Sequence, residues 1–284
     1  EDEHAPFAVA GSIGLQGIRL ANPTLGESFA VIGAGLIGLL TIELLIANGC
    51  RVLAIDYDKQ RLKIAKESGA EICDLSQNHD PVEIAMEFSL GNGLDGVIIC
   101  ASTDSNDTIS QAANMSRKRG RIILVGVTGL NMNREDFYEK ELSFQVSCSY
   151  GPGRYDSSYE IRGNDYPFPY VRWTEQRNFQ AVLNMIANNK INVSRLISER
   201  VSFDNVALAY ERLLDSSSLG IILQYENNPR RLSRRLKSQE NNTILRSNKN
   251  VIGFIGSGNY AKRILIPAFK KAGATASTHM WYGG

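Results

Sequence analysis

The sequence has few of the features that mark membrane proteins, disulfide-stabilised proteins or zinc-stabilised domains. Its longest apolar run, residues 36–47, is interrupted by Gly38, Thr41 and Glu43 and is too short to span a bilayer. The 4 cysteines and 3 histidines are scattered, without the closely spaced pairs of a structural zinc site. We therefore expect free cysteines in a reducing compartment and no zinc site in this segment.

The sequence also lacks a strong charge bias and a leader signal. The net charge of +1 creates no overall field that would attract nucleic acid or an anionic membrane. Residues 1–20 lack the charged and apolar regions of a signal peptide. We expect a cytoplasmic protein whose partner is a small molecule, with neither nucleic acid nor membrane as a partner. Residues 227–250 are basic, but few aromatic residues interleave with the charges, which favours a solvated linker over a nucleic-acid patch.

The segment from residue 26 to residue 150 alternates short apolar strands with helices. Strands are predicted at residues 28–32, 51–55, 71–73, 96–100, 121–125 and 142–147, and helices at residues 36–48, 59–68, 81–89 and 105–115. The strands are apolar throughout rather than alternating, so both faces of the sheet are expected to be buried. The pattern predicts an α/β fold, with a doubly wound parallel sheet covered by helices on both sides.

The flanking segments have their own patterns. Residues 5–20 are predicted as a helix in which Gly11, Gly14 and Gly17 would allow close packing against a neighbour. Residues 150–175 are rich in aromatic residues, glycine and proline without a regular period, which is typical of a functional loop or an interface. Later elements are predicted as helices at residues 175–188 and 204–215 and strands at 196–200, 220–225 and 251–255.

One glycine-rich turn carries the main functional signal. Gly33-Ala34-Gly35-Leu36-Ile37-Gly38 follows an apolar strand and opens a helix. In such a motif Gly33 permits a tight turn, Gly35 lets a pyrophosphate approach the backbone, and Gly38 lets helix and strand pack closely. Phosphates then bind at the N-terminus of the helix. The context predicts a Rossmann dinucleotide-binding unit.

Asp56 indicates which dinucleotide binds. It ends the next strand, 18 residues after Gly38, where an acid is expected to bind the adenine-ribose hydroxyls. A carboxylate accepts a 2′-hydroxyl but repels a 2′-phosphate, so NAD is favoured over NADP. Arg61 could serve a phosphate, but a surface position on its helix is the simpler interpretation. Further contacts with the cofactor are predicted at Leu36, Ile37, Tyr57, Arg61, Ala101, Ser102, Thr103, Gly126 and Val127.

The aromatic segment supplies the candidate catalytic residues. The polar side chains considered are Arg154, Tyr155, Asp165, Tyr166 and Arg172. A tyrosine hydroxyl could take part in proton transfer, and an arginine could hold a phosphate or carboxylate. The alternative is that the segment packs between domains, with Arg172 and Trp173 as a stacked pair at an interface.

Residues 1–226 resemble the C-terminal portion of medium-chain dehydrogenases, the zinc-type alcohol and threonine dehydrogenase group. The matching stretches are Gly26-Glu27, residues 33–38, residues 52–56, Arg61-Leu62, Ala65-Lys66 leading to Gly69-Ala70, and Arg119-Gly120-Arg121. The resemblance implies an NAD-dependent oxidoreductase that transfers a hydride between nicotinamide and an alcohol or carbonyl carbon. It also implies a possible homo-oligomer.

Residues 250–274 resemble the opening of the Gfo/Idh/MocA oxidoreductases, a second Rossmann family. The order of the two parts is similar to that of bi-domain oxidoreductases associated with surface-polysaccharide gene sets, which implies a sugar or sugar-nucleotide substrate. The second unit is incomplete, and His279 rather than an acid stands 18 residues after Ala261. We expect this segment to dock loosely or to be disordered.

The sequence departs from the dehydrogenase pattern in ways that leave alternatives open. The family's N-terminal catalytic domain is missing from this sequence, and residues 7–11 stand where a cysteine zinc ligand is expected, so we transfer no zinc site. The chain could bind NAD without turnover, or belong to an NAD-dependent epimerase or dehydratase. The predicted domains are a connecting helix (1–25), an NAD-binding domain (26–150), the remaining dehydrogenase part (151–226), a linker (227–250) and a truncated second Rossmann domain (251–284).

Overall fold

The computed structural model describes residues 2–212, 218–225, 251–254 and 258–278. The chain divides into two compact units, residues 1–226 and residues 227–284, which are described separately below. Within the described residues, no helix is both long enough and apolar enough to cross a membrane.

The first unit is built on a parallel sheet of six strands. These are β1 (Ser28–Ile32), β2 (Arg51–Asp56), β3 (Glu71–Asp74), β4 (Leu94–Ile99), β5 (Ser116–Leu124) and β6 (Ser143–Val146). Their spatial order is β3-β2-β1-β4-β5-β6, which confirms the predicted doubly wound α/β fold. The order reverses between β1 and β4. Ligands of such sheets bind at this point, beyond the carboxyl ends of the strands.

Helices connect and flank these strands. They are α1 (Phe7–Ala21), α2 (Leu36–Ala47), α3 (Lys59–Glu67), α4 (Pro81–Phe88), α5 (Asp107–Met115), α6 (Arg134–Tyr138), α7 (Ser157–Glu160), α8 (Glu175–Ala187) and α9 (Val206–Arg212). Helix α2 is apolar around most of its circumference, and residues 38–45 are all buried. A helix with this composition belongs inside the protein.

Alternate residues of the central strand enter two separate hydrophobic cores. Phe29 and Val31 pack into the core that holds α1, α2 and α8. Ala30 and Ile32 pack into the core on the other side, with α4 and α5. Because successive side chains of a strand point to opposite faces, a strand that is apolar at every position is buried on both sides. The prediction of a sheet covered on both faces is confirmed.

The glycines of α1 lie where the helix touches three different neighbours. A Cβ atom on Gly11 would lie 2.8 Å from a methyl carbon of Val182 in α8. On Gly14 it would lie 2.3 Å from the Thr41 hydroxyl in α2, and on Gly17 it would lie 2.5 Å from a Val125 methyl carbon just after β5. The predicted close packing of this helix is confirmed, and each glycine serves a different contact.

Three local features differ from the sequence prediction. Strand β5 begins at Ser116 rather than at residue 121, because Leu94 pairs with Ser116 before a shift in register. Its first residues are polar, so an apolar pattern misses them. The short helices α6 and α7 were not predicted. Each begins at a side-chain cap, Asn133 for α6 and Asp156 for α7, rather than at an apolar period.

The remaining strands form two small parallel pairs. In the first unit β7 (Ile197–Ser202) pairs with β8 (Gly220–Gln224). In the second unit β9 (Val251–Phe254) pairs with β10 (Thr275–Thr278), and a π-helical turn (Ala261–Leu265) runs into α10 (Ile266–Lys271) between them. The expectation that this segment docks loosely or is disordered stays a prediction. The predicted linker at 227–250 and His279 lie outside the described residues.

A buried carboxylate joins α2 to two other segments. Glu43 is only 5% exposed. One carboxylate oxygen accepts from the Ser68 hydroxyl (3.0 Å) and from Arg195 (3.2 Å), and the other accepts from the Asn192 amide (2.5 Å). Removing the charge from a buried ion pair leaves its partner uncompensated. We predict that Glu43→Gln lowers the free energy of unfolding by about 3 kcal/mol, as measured by urea denaturation.

The matched control for that substitution is Glu67→Gln. Glu67 forms an exposed pair with Lys63 at 4.0 Å. Exposed pairs of this kind contribute little, so the control variant should unfold within about 0.5 kcal/mol of the parent. Equal effects of the two substitutions would show that the buried Glu43 contacts contribute no more than a surface pair.

Candidate functional site

Two glycines of the 33–38 turn are required by close backbone contacts. Gly33 has φ +93°, and a Cβ atom on it would lie 2.6 Å from the Ala101 amide nitrogen. A Cβ atom on Gly38 would lie 1.8 Å from the Gly33 carbonyl oxygen. The first glycine allows the chain leaving β1 to pass beside the chain leaving β4. The second lets the first turn of α2 lie against the end of β1.

Gly35 is different, because nothing in the fold requires a glycine there. Its φ is −69°, an ordinary value, and a Cβ atom would meet no atom of the described residues within 4 Å. Gly35 is the N-cap residue of α2, and no side chain caps this helix. By contrast, Asp58 caps α3 and Asp80 caps α4. The first turn of α2 therefore presents amide groups to open space, an arrangement that suits an anion.

Asp56 ends β2 beside this turn. Its carboxylate accepts one hydrogen bond from the Ala34 amide (2.6 Å) and another from the Asp58 amide (2.8 Å). A carboxylate offers roughly four acceptor positions, so it can accept further hydrogen bonds from a ligand. The two backbone contacts hold the carboxylate in place against the glycine-rich turn.

A cleft of about 360 Å³ opens next to Asp56. Predicted cofactor contacts that line it are Gly33, Asp56, Tyr57, Ala101, Ser102 and Thr103. Other lining residues were not predicted, among them Leu75, Ser105, Asp107, Thr108 and Gln111. They come from the turn after β3 and from the approach and start of α5. The helix predicted after β4 was a partial signal for Ser105, Asp107 and Thr108, since its start lies at the same edge of the sheet.

The chain segments that follow β4 and β5 remain paired beyond the strands. The Thr103 amide donates to the Val127 carbonyl oxygen (2.9 Å), and the Val127 amide donates to the Ala101 carbonyl oxygen (3.0 Å). A Cβ atom on Gly126 would lie 2.1 Å from that same Ala101 oxygen. The structure thus brings these predicted contact residues together at the carboxyl edge of the sheet.

Arg61 contacts a neighbouring acid. Its Nε atom lies 3.5 Å from a carboxylate oxygen of Asp58, the residue that caps α3. The Arg61 side chain is 25% exposed, so it is less exposed than the predicted surface position implied. Tyr57 is 71% exposed at the rim of the cleft.

The candidate polar residues of the aromatic segment do not line this cleft; they are Arg154, Tyr155, Asp165, Tyr166 and Arg172. Arg154 pairs with Glu160, which raises the pKa of the arginine, and Asp165 pairs with Arg177. Arg172 stacks on Trp173. Tyr155 is exposed and has φ +65°. Their roles stay predictions.

Tyr166 is held within the same aromatic segment. Its hydroxyl donates to Asp156 at 2.5 Å, a contact that holds the pKa of Asp156 below its usual value. The Tyr166 ring also stacks on Tyr159, with 5.5 Å between ring centroids. The described contacts of this tyrosine are thus with its own segment.

Within the described ranges, no group of three or more histidine, cysteine, aspartate and glutamate side chains is placed to hold a metal ion. The four cysteines are free. Burial raises the pKa of Cys73 to about 11 and that of Cys100 to about 12, so neither is a thiolate at neutral pH.

Comparison with known proteins agrees with this geometry. Residues 37–161 match a family described as zinc-binding dehydrogenase. This segment is similar to the nucleotide-binding half of zinc-type alcohol dehydrogenase-like proteins. The predicted resemblance to medium-chain dehydrogenases is confirmed for this part. The resemblance of residues 250–274 to Gfo/Idh/MocA proteins stays a prediction.

The curated relatives are dehydrogenases. An alcohol dehydrogenase of Cupriavidus necator is 25% identical over 201 residues, covering 70% of this chain and 49% of the relative. D-guloside 3-dehydrogenase of Escherichia coli is 26% identical over 71% of this chain and 55% of the relative. Human sorbitol dehydrogenase is 25% identical over 75% of this chain and 54% of the relative. The chain thus spans about half the length of these relatives.

Solved structures share the fold. An alcohol dehydrogenase from Thermus sp. ATN1 superposes with a TM-score of 0.66 at 24% identity, covering 80% of this chain and 59% of that one. The 2R,3R-butanediol dehydrogenase of Bacillus subtilis gives a TM-score of 0.64 at 22% identity, covering 79% and 58%. At these identities the similarity establishes the fold.

Alanine substitution should have different effects at Gly35 and Gly38, the two glycines at the start of α2. Gly38→Ala places a methyl group onto the Gly33 carbonyl oxygen and should lower the free energy of unfolding by about 3 kcal/mol or more. Gly35→Ala has room and should stay within about 1 kcal/mol of the parent. It should nevertheless weaken NADH binding at least about tenfold, because its methyl group occupies the space above the helix N-terminus.

Urea denaturation and fluorescence titration with NADH measure the two effects separately. Undiminished NADH binding by Gly35→Ala would contradict the assignment of this open space to the cofactor.

Proposed function

We propose that this chain is the cofactor-binding part of an NAD-dependent oxidoreductase that transfers a hydride between nicotinamide and an alcohol or carbonyl carbon. The observation that carries the proposal is the open, uncapped N-terminus of α2 beneath Gly35, with the Asp56 carboxylate beside it. The N-terminus of α2 follows β1, where the strand order reverses, and Asp56 ends the neighbouring strand β2. The similarity to alcohol and polyol dehydrogenases supports the reaction class.

The preference for NAD over NADP is inferred from Asp56. Solved structures with this fold include one bound to NADP and one complexed with NADH, so the fold alone does not determine which dinucleotide binds. A ribose 2′-hydroxyl can donate to the Asp56 carboxylate, whereas a 2′-phosphate would face a like charge at close range. Arg61 offers little compensation, since Asp58 already lies beside its guanidinium group.

The residues of this chain would bind and orient the cofactor. Amide groups in the first turn of α2 would hold the pyrophosphate, and Asp56 would accept from the adenine ribose. The paired segments at 101–103 and 126–127 would flank the nicotinamide half. Bound NAD supplies the hydride chemistry, and the protein supplies position and electrostatics.

The proposed substrate is a polyol, sugar or sugar nucleotide. The relatives that support this class include sorbitol dehydrogenase and D-guloside 3-dehydrogenase. A role in polysaccharide synthesis, a cytoplasmic location and a homo-oligomeric state belong to the same proposal.

Cofactor binding can be tested by thermal unfolding of the chain with NADH and NADPH. A ligand that binds only the folded state stabilises it by about 2.7 kcal/mol at a hundredfold excess over Kd. We predict a clear shift with NADH and a smaller one with NADPH. Asp56→Ala should lose the preference, because it removes both the ribose acceptor and the negative charge. Each variant is compared with its own ligand-free form, since Asp56→Ala also loses two backbone contacts.

The matched control is Asp107→Asn, which removes one charge from the same cleft without touching the turn at 33–38. It should keep the preference for NADH. Equal shifts with both cofactors in the parent protein, or no shift at all, would contradict the NAD assignment.

A further inference from the structure

We propose that Arg19, Arg172 and Trp173 form a binding site for a phosphate monoester that carries a small apolar group. Arg19 lies near the end of α1, whereas Arg172 and Trp173 immediately precede α8. The three residues do not line the cleft next to Asp56.

Both arginines stack on one indole ring. The guanidinium carbon of Arg19 lies 3.3 Å from the centroid of the Trp173 ring, and that of Arg172 lies 3.7 Å from it. The negative face of an indole attracts each cation. Stacking uses the flat faces of the guanidinium groups and leaves the N–H groups in their planes able to donate.

The positive charges of this pair are not balanced by acids. Among the residues that the structure describes, no carboxylate lies within ion-pair distance of Arg19 or Arg172. The Arg19 Nε donates instead to the neutral side chain of Asn178 (2.8 Å). Nearby arginines differ, since Arg154 pairs with Glu160 and Arg177 pairs with Asp165.

Holding two cations together in this way has an electrostatic cost. Burial and, to a smaller extent, the charge of Arg172 together lower the pKa of Arg19 to about 10. Arg19 therefore still carries its charge at neutral pH. A ligand with two negative charges would balance both cations and relieve their repulsion.

Two cavities adjoin the pair, and the larger one has room for a small ligand. One has a volume of about 650 Å³ and the other about 280 Å³, and both are lined by Trp173, Ala181 and Asn184. Arg19 faces the larger cavity and Arg172 the smaller one. Small-molecule sites in proteins have volumes of roughly 300–1,000 Å³.

The larger cavity has a mixed lining that indicates the kind of ligand. Its apolar wall consists of Leu15, Ile18, Pro23, Leu44, Ala47, Ala181 and Met185. Carboxamides of Asn22, Asn48 and Asn184 supply polar groups at the same cavity. This wall shares its cavity with the Arg19 guanidinium group and with Trp173, the ring on which Arg172 also stacks. The combination suits a phosphate monoester, with its phosphate reaching the two arginines at the edge of the indole and its organic part against the wall.

Calorimetric titration of the full chain with phenyl phosphate tests this proposal, with inorganic phosphate and benzoate as comparison ligands. Phenyl phosphate should bind at least tenfold more tightly than either, because only it combines two charges with an apolar group. Arg172→Gln should weaken its binding at least tenfold. The matched control is Arg162→Gln, an exposed arginine of the same segment, which should leave it unchanged.

Further variants and a competition experiment complete the test. Arg19→Gln should weaken binding as Arg172→Gln does. Arg172 is exposed, so its variant is expected to fold even if Arg19→Gln does not. NADH should bind Arg172→Gln as it binds the parent and should not compete with phenyl phosphate, which separates this site from the proposed cofactor site.

Several outcomes of these titrations would contradict all or part of the proposal. Absence of phenyl phosphate binding, or equal loss in Arg172→Gln and Arg162→Gln, would overturn the proposal. Displacement of phenyl phosphate by NADH would assign the binding to the Asp56 cleft. Equal affinity for inorganic phosphate would refute the apolar part of the site, and tighter binding of benzoate would refute the requirement for two charges.

Discussion

The close backbone contacts of the 33–38 turn determine the geometry of the whole site. Gly38 lies against the Gly33 carbonyl oxygen, and Gly33 lies against the backbone of Ala101. These two contacts place the start of α2 directly over the ends of β1 and β4. The Asp56 carboxylate adds a third connection through the Ala34 amide. The open helix N-terminus and the acid beside it depend on this packing, because a wider separation would move the amide groups away from Asp56.

Much of the fold could be predicted because its signals are local. The strands are apolar at every position, and most of their predicted ends lie within two residues of the observed ones. The start of β5 could not be found this way, since its polar residues are ordered by pairing with β4. In the site, Gly33, Gly38 and Asp56 were found from their spacing. Leu75 and Gln111 were not, because only the three-dimensional arrangement brings them to the cleft.

The aromatic segment also shows that contacts between distant parts of the chain are hard to predict from the sequence. Its polar residues were candidates for substrate contact, with packing as the alternative, and Arg154 and Asp165 each pair with a charged residue nearby. Stacking of Arg172 on Trp173 was weighed as an alternative from the sequence, and this contact is present. The approach of Arg19 to the same ring was not predictable, because it depends on how α1 and α8 pack together.

The contrast between Gly35 and its two neighbouring glycines also has an evolutionary consequence. Selection would remove substitutions of Gly33 or Gly38 from any descendant protein that must fold, whether or not that protein binds a ligand. Gly35 has room for a side chain, so selection for folding alone would let it drift. A lineage whose protein no longer binds the ligand could lose this glycine first. Position 35 is therefore the place in the turn where selection for binding can be told apart from selection for the fold.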